Sequence, residues 1–470
     1  MRCAIADTGT PLQSRLSLTS SSSPTYSRSL GLFSGTMLVV GGIIGSGIFI
    51  NPSIVAARTG SAALTIGTWS LGAVIALLGA FIFAELGRRR PEVGGGYAYL
   101  RDAFGPLPAF LYGWALLLAI ATGAIAAVAV TFANYFTRLV GMPPETVKPL
   151  ALGAIALLSI VNVLGVKPGA ATQNIFTLLK LAALGALLGA ALFLHPSAAP
   201  TLPPPIASVP LPHPTSLRDI FIVLSTALVP VLFSYGGWQQ TNFVAAEMRD
   251  PERTLPRALV LGVLIVVAVY LGANLAYLRA LGVDGLAASN APAADLMAMV
   301  AGEGGRRLIA AGIAASTFGF LNLVILVSPR VYQAMAHDGL FFSGFAKLHP
   351  KFRTPTLAIG FQAIVAAVLI YTGGYGQLLD WVVFADWIFF GATALTLVVF
   401  RHRDAKAGVT DSGFRAPFYP VSVALFFAAA LYVVFGSIAS NPQNAVRGVL
   451  LLAAGVPVYL FWRSRSARAS

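Results

Sequence analysis

One cysteine, five histidines and only 17 acidic residues in a chain of 470 leave little material for several kinds of chemistry. A single Cys3 excludes a disulfide framework and a thiolate metal site. His195, His213, His337, His349 and His402 are scattered without ligand spacing, so no metal and no cofactor are expected. No H-E-x-x-H, G-x-S-x-G or P-loop pattern occurs, which argues against the common enzyme classes. No apolar stretch leads into a cleavage site near Met1, so no signal peptide is expected. Charged residues make up 10% of the chain, against about 25% in soluble domains. No polar block of domain size interrupts the apolar runs.

What is present is apolar. Hydrophobic residues account for 57% of the chain and the mean hydropathy is +0.79. The apolar runs are about 20 residues long without alternation, which predicts membrane-spanning helices and not a barrel. Twelve spans are expected, with cores at 32–57, 63–84, 108–136, 149–165, 172–194, 219–245, 257–279, 305–334, 355–372, 378–400, 418–437 and 446–462. The net charge of +14 fits this class without nucleic acid. With the N-terminus inside, 22 Lys and Arg fall in inner segments and 8 in outer ones; Lys180, inside a span, is the last of the 31. That bias puts both termini in the cytoplasm of a multi-pass protein of the plasma (inner) membrane.

The expected organisation is an all-α polytopic membrane protein. A disordered tail covers 1–28, a single transmembrane domain 29–465, and a short cytoplasmic tail 466–470. Spans one to five (about 31–194) and six to ten (about 218–401) form two halves; the last two spans occupy about 418–462. Five is odd, so the halves are inverted relative to one another. Residues 195–217 are proline-rich and read as an extended external loop, and 280–304 as a short surface helix.

Each half opens on an interrupted helix. Gly41, Gly42, Gly45 and Gly47 lie within seven residues of the first span, and each glycine costs a helix about 1 kcal/mol relative to alanine. The sixth span carries Phe233-Ser234-Tyr235-Gly236-Gly237-Trp238. Small residues that let helices pack closely are one explanation. A pair of breaks in corresponding positions instead points to a transporter's midplane site. There, backbone N–H groups and the helix start after Gly45 suit a carboxylate, and freed carbonyls suit an ammonium. Both together fit the head group of an amino acid, with Ser46 adding a hydroxyl.

Lys180 stands among apolar neighbours about two turns inside its span. An ionisable group there is functional by default, as a fixed cation in place of a metal ion or as a proton carrier; snorkelling is the alternative. Asp386, followed by Trp387, is the other intramembrane charge. Pairing across a cavity, holding a substrate group and a structural hydrogen bond are all open to it. Glu85 and Glu247 adjoin Arg88–Arg90 and Arg249, which fits either solvated ion pairs or an inner gate. Phe233, Tyr235 and Trp238 are pocket walls, gates or packing residues.

Several motifs occur in a shared order: Gly42-Ile43-Ile44-Gly45-Ser46-Gly47-Ile48-Phe49, Ala84-Glu85-Leu86-Gly87, Gly94-Gly95-Gly96-Tyr97-Ala98-Tyr99, Phe104-Gly105-Pro106-Leu107-Pro108-Ala109-Phe110, Phe233 to Trp238, and Asp250 to Arg257. Over about residues 30–465 the chain resembles the amino acid–polyamine–organocation (APC) superfamily, and within it the L-type amino acid transporter group and its bacterial relatives. The resemblance implies a LeuT-type fold with spans one and six unwound. It implies a substrate site at Ile43, Gly45, Ser46, Gly47, Phe233, Ser234, Tyr235, Gly236, Gln239, Asp386 and Trp387. In it the carboxylate meets Ser46 and Gly47, and the amine meets the carbonyls of Ile43, Phe233 and Gly236. Phe233 corresponds to the gating aromatic, with Trp238 and Glu247 as further gate residues. Lys180 matches the lysine that replaces bound sodium.

The chain departs from that pattern at several places. Gln239 and Asp386 stand where the animal members have asparagine. Phe320 and Val324 stand where the lysine's usual partners are found, leaving Ser316 and Thr317 as substitutes. No cysteine follows span three, so no disulfide-linked heavy chain is expected. The implied function is sodium-independent permeation of neutral L-amino acids, by exchange or proton coupling, through the bilayer. A cationic amino acid or polyamine carrier, which Asp386 would serve, and a non-transporting sensor are the alternatives.

Overall fold

The structure is a computed structural model and describes residues 25–193, 216–372, 375–409, 411–440 and 442–467. Among these residues the chain is helical, and extended pairing is confined to one bridge between Leu30 and Met248. Helices α1 (Leu32–Ile43) and α2 (Gly47–Thr59) are the halves of one span, bent by 42° at the break. Then come α3 (Ala62–Arg89) and the short α4 (Gly96–Phe104). Helices α5 (Pro106–Ala115) and α6 (Ala121–Val140) join through a widened turn, Leu116–Ile120, into one 35-residue run. Helices α7 (Val147–Val163) and α8 (Val166–Phe193) complete the first half of the chain.

The second half starts with α9 (Leu217–Ser234), whose course continues beyond a break as a tight 3-10 stretch, Trp238–Glu247. It proceeds through α10 (Pro251–Ala288), α11 (Pro292–Val327), α12 (Pro329–His337), α13 (Thr356–Thr372) and α14 (Tyr375–Ala407). Helices α15 (Val421–Ser440) and α16 (Pro442–Ala467) follow.

Among the described residues nine helical runs are long and apolar enough to cross a membrane, and the bent α1–α2 pair makes ten. The chain is therefore a polytopic membrane protein. The two further expected spans coincide with α13, an apolar helix of 17 residues, and with α14. The short helix expected within 280–304 is found as the ends of α10 and α11, set off from their spans by kinks at Gly282 and Gly302. Their φ values of +68° and +61° are accessible to glycine at little cost. The expected disordered tail lies outside the described residues up to Pro24, as does the proline-rich loop up to Thr215. Helix α16 continues to Ala467, two residues into the expected C-terminal tail.

Helix association in a bilayer relies on close packing and interhelical hydrogen bonds more than on the hydrophobic effect. Helix α10 lies against α1 and α3, and α11 against α6 and α8. The α1–α10 contact is built on a missing side chain: a Cβ on Gly262 would stand 2.5 Å from Val39 Cγ1. Asn162 on α7 donates to Asn322 on α11 at 3.0 Å, and Asn322 donates in turn to the Gly169 carbonyl on α8 at 3.0 Å.

One end of the bundle is ionic. Glu85 accepts from Arg89 at 2.8 Å, from Arg401 at 2.5 Å and from the Ala416 amide at 2.7 Å. Glu247 pairs with Arg330 at 2.8 Å. Both carboxylates are buried, so the expectation of solvated ion pairs does not hold, and the partner of Glu247 is Arg330 and not the neighbouring Arg249. A buried carboxylate needs its counter-charge at hydrogen-bonding distance, and α12 brings Arg330 there.

Candidate functional site

The two breaks meet. A Cβ on Gly237 would lie 2.1 Å from the Gly42 carbonyl oxygen, and one on Gly47 would lie 2.7 Å from Ser234 Oγ. Gly237 also has φ +105°, a conformation side chains disfavour. Glycine is thus needed at both crossings for the backbones to touch. The hairpin of crossed breaks borders a cavity of about 120 Å³.

Breaking a helix frees carbonyls that the membrane cannot hydrate, and the structure supplies a donor for each neighbourhood. Lys180 is fully buried on α8, and its ammonium donates to the Ile44 carbonyl at 2.7 Å and the Gly41 carbonyl at 3.1 Å. Ser316 on α11 donates to the carbonyls of Ile44 and Gly45, both at 3.2 Å. The Tyr270 hydroxyl on α10 lies 3.1 Å from the Ile43 carbonyl and 3.2 Å from that of Ser234, so one group spans both breaks. At the second break Gln239 accepts from the Gly237 amide at 3.0 Å, and Gly236 donates to Phe233 at 3.2 Å.

Two prolines extend the same logic. Proline has no N–H, so Pro52 in α2 frees the carbonyl of Ile48, and Pro230 in α9 frees that of Thr226. Tyr277 reaches the first at 3.4 Å and Arg58 the second at 2.5 Å. Asn51, beside Pro52, donates to Ser234 Oγ at 2.7 Å and to the Pro230 carbonyl at 3.0 Å, tying α2 to α9. Sequence reasoning missed Asn51, Arg58, Tyr270 and Tyr277. The prolines were the available signal, since each freed carbonyl requires a donor from elsewhere.

The cavity brings together Ile43, Gly45, Ser46, Gly47, Phe233, Ser234, Gly236, Gln239, Asp386 and Trp387 of the expected site residues. Tyr235 is turned away from it, with its ring against Trp69 and Tyr270 at centroid distances of 5.8 and 5.1 Å. Trp238 is likewise outside, in an aromatic cluster with Phe83, Phe390 and Phe426. Glu247 belongs to the ionic end and not to the cavity. Phe233 is 43% exposed between buried Leu232 and Ser234, because it faces the open space. Phe320 and Val324 line the cavity too, while Thr317 bonds only within its own helix. Ser316, not Thr317, therefore joins Lys180 at the first break.

The chemistry of the cavity is that of opened backbone. The first amides of α2 lack intrahelical partners by the geometry of a helix start and carry its positive end. Carbonyls with a spare lone pair lie alongside. Asp386 adds a carboxylate with no hydrogen bond or ion pair among the described residues. No group of three or more His, Cys, Asp or Glu that would hold a metal is found among those residues.

Comparison with known proteins places the chain in a family. A family model described as amino acid permease matches residues 30–461. The serine/threonine exchanger SteT of Bacillus subtilis is 30% identical over 443 residues, covering 94% of this chain and 98% of its own. The large neutral amino acids transporter small subunit 2 of Rattus norvegicus is 32% identical over 93% of this chain and 82% of its own. The human Asc-type amino acid transporter 1 is 31% identical over 93% and 83%, respectively.

Proposed function

The chain belongs to the amino acid permease family, and from that premise we propose that it is a sodium-independent secondary transporter that moves neutral L-amino acids across the plasma membrane by alternating access. The observation that carries this is the crossing of two helix breaks beside a cavity, with a buried ammonium already on the first break's carbonyls. A substrate carboxylate would take the amides and hydroxyl at Ser46 and Gly47, and its ammonium the carbonyls of Ile43, Phe233 and Gly236. Lys180 holds by a fixed charge the carbonyls to which a sodium ion would otherwise be drawn, which supports exchange or proton coupling in place of sodium coupling. Twelve spans in a LeuT-type five-plus-five inverted repeat, both termini in the cytoplasm and Phe233 as the gate complete the proposal. A stand-alone subunit fits the lone Cys3.

The test is counterflow into proteoliposomes loaded with one amino acid, screened against all twenty without a sodium gradient. Uptake of small or large neutral amino acids supports the proposal. Absence of any uptake by folded protein overturns it. Asp386 favours a second reading, a carrier of cationic amino acids or polyamines, because it brings an unpartnered carboxylate to the cavity. Competition by arginine or putrescine stronger than that of any neutral amino acid would select this reading.

A further inference from the structure

A second cavity, of about 830 Å³, opens at the ionic end of the bundle and shares no lining residue with the cavity at the crossed breaks. The C-terminal ends of α3 and α14, the first turns of α10 and the segment after α14 enclose it. Six arginines line it: Arg88, Arg89, Arg90, Arg253, Arg257 and Arg403. Three carboxylates face them, and two are already committed. Asp411 pairs with Arg88, and Asp404 with Arg89. Partial burial pushes the Asp411 carboxyl up, but Arg88, the Gly413 amide and the nearby Arg89 hold it below the usual carboxylate range. Arg403 spends its donors on the backbone carbonyls of Asp102 and Ala103, which leaves its charge uncompensated. Arg253 is 77% exposed and only 3.9 Å from Asp250, and Arg257 has neither hydrogen bond nor ion pair among the described residues. The third carboxylate, Glu252, is exposed.

We propose that this cavity binds the phosphate-bearing headgroup of an anionic bilayer lipid. Arg90 pairs with Asp102 at 3.3 Å and Arg89 also with Glu85, so the surplus of positive charge rests on Arg257 and Arg403, which have no ion pair among the described residues, and on Arg253, held only at 3.9 Å from Asp250. Its depth also fits. Helix α3 has 28 residues, about 42 Å, against a hydrocarbon core of about 30 Å, so its arginine-bearing last turn reaches headgroup level. Basic pockets between spans at that level are suited to anionic headgroups. A lipid is favoured over a free anion by the rest of the lining: Phe400, Val409 and Phe414 offer apolar surface beside the guanidiniums. Arg90 already lies over the Phe400 ring at 5.4 Å, which joins the charged and apolar parts of the wall.

The purified full chain in detergent is titrated with dioctanoyl phosphatidylglycerol, dioctanoyl phosphatidylcholine and inorganic phosphate, and binding is read by thermophoresis. The anionic lipid is expected to bind at least about ten-fold more tightly than the zwitterionic one. Replacing Arg253→Gln together with Arg257→Gln should weaken it about thirty-fold, taking each surface arginine at the usual contribution. Both side chains are exposed, so the melting temperature should be unchanged. The charge-matched control, Arg306→Gln with Arg307→Gln on α11, should bind like the parent. Equal affinity for the two lipids, or undiminished binding by the Arg253 and Arg257 double variant, overturns the proposal. Inorganic phosphate displacing the lipid at similar concentration would reassign the cavity to a free anion and overturn it too.

Discussion

At the first helix break the carbonyls of Gly41, Ile43, Ile44 and Gly45 accept from Lys180, Tyr270 and Ser316, which sit on three other helices. At the second break most bonds are local. Gly236 donates to Phe233, Tyr235 to Val231, and Gln239 takes the Gly237 amide; Ser234 reaches other helices, its carbonyl through Tyr270 and its hydroxyl through Asn51. The backbone of one break is clamped from outside and that of the other is held mainly by its own chain. A clamped break keeps its shape only while α8, α10 and α11 keep theirs, so it reports the arrangement of the bundle. A self-held break keeps its shape while its helix moves. This division suits a site in which the first break presents fixed groups to a ligand and the second carries the exposed Phe233 toward or away from it.

The largest effect is expected where the two breaks touch. In Gly237→Ala the new Cβ meets the Gly42 carbonyl oxygen at 2.1 Å, and the residue must hold φ +105°. Strain and overpacking together cost about 4 kcal/mol, which should remove most folded protein in a detergent melting assay. At Gly236 the nearest atoms stand at 3.4 and 3.7 Å, so Gly236→Ala should melt like the parent. If the two variants melt alike, the backbone crossing is not what requires glycine.

The outer clamp comes next. Lys180→Ala leaves the Ile44 and Gly41 carbonyls without their charged donor. Losing hydrogen bonds of that kind should lower exchange on the order of 100-fold, measured as counterflow in proteoliposomes. Normal exchange in this variant would show that the first break does not depend on its ammonium.

The two breaks also differ in how they appear in the sequence. Both were visible as glycines inside apolar runs, and Lys180 as a charge with no reason to lie in hydrocarbon. The groups that satisfy the breaks were not. Tyr270 and Tyr277 look like ordinary aromatic packing until α10 is placed against α1 and α2, and Arg58 looks like a residue at a span end. Glu247 sits two residues from Arg249, yet its partner lies 83 positions away, which only the tertiary arrangement determines. Tyr235 and Trp238 flank Gly236 and Gly237 in sequence, but both lie outside the cavity, Tyr235 against Trp69 and Tyr270 and Trp238 against Phe83 and Phe426. The polytopic, all-helical character was legible from hydropathy; the 17-residue length of α13 and the folded ends of α10 and α11 were not, since apolar composition does not mark where a helix bends.

Tyr270 gives a finer test, because it alone among these donors serves both breaks. Removing its hydroxyl in Tyr270→Phe leaves the carbonyls of Ile43 and Ser234 short of one shared donor, worth about 1 kcal/mol, or roughly five-fold in exchange. Tyr270→Phe and Gln239→Ala should then be non-additive, since both act on the second break.

Ser316→Ala should have the smallest effect. Ser316 shares the Ile44 carbonyl with Lys180, and the shorter bond, at 2.7 Å, belongs to the charged donor. The hydroxyl's loss therefore leaves that acceptor satisfied, and only the Gly45 carbonyl at 3.2 Å loses its side-chain donor. A melting shift of about 0.5 kcal/mol and an exchange rate within about two-fold of the parent are expected. A loss comparable to that of Lys180→Ala would mean that the clamp depends on position, through α11, more than on the ammonium's charge. In that case the fixed cation would not be what distinguishes the first break from the second.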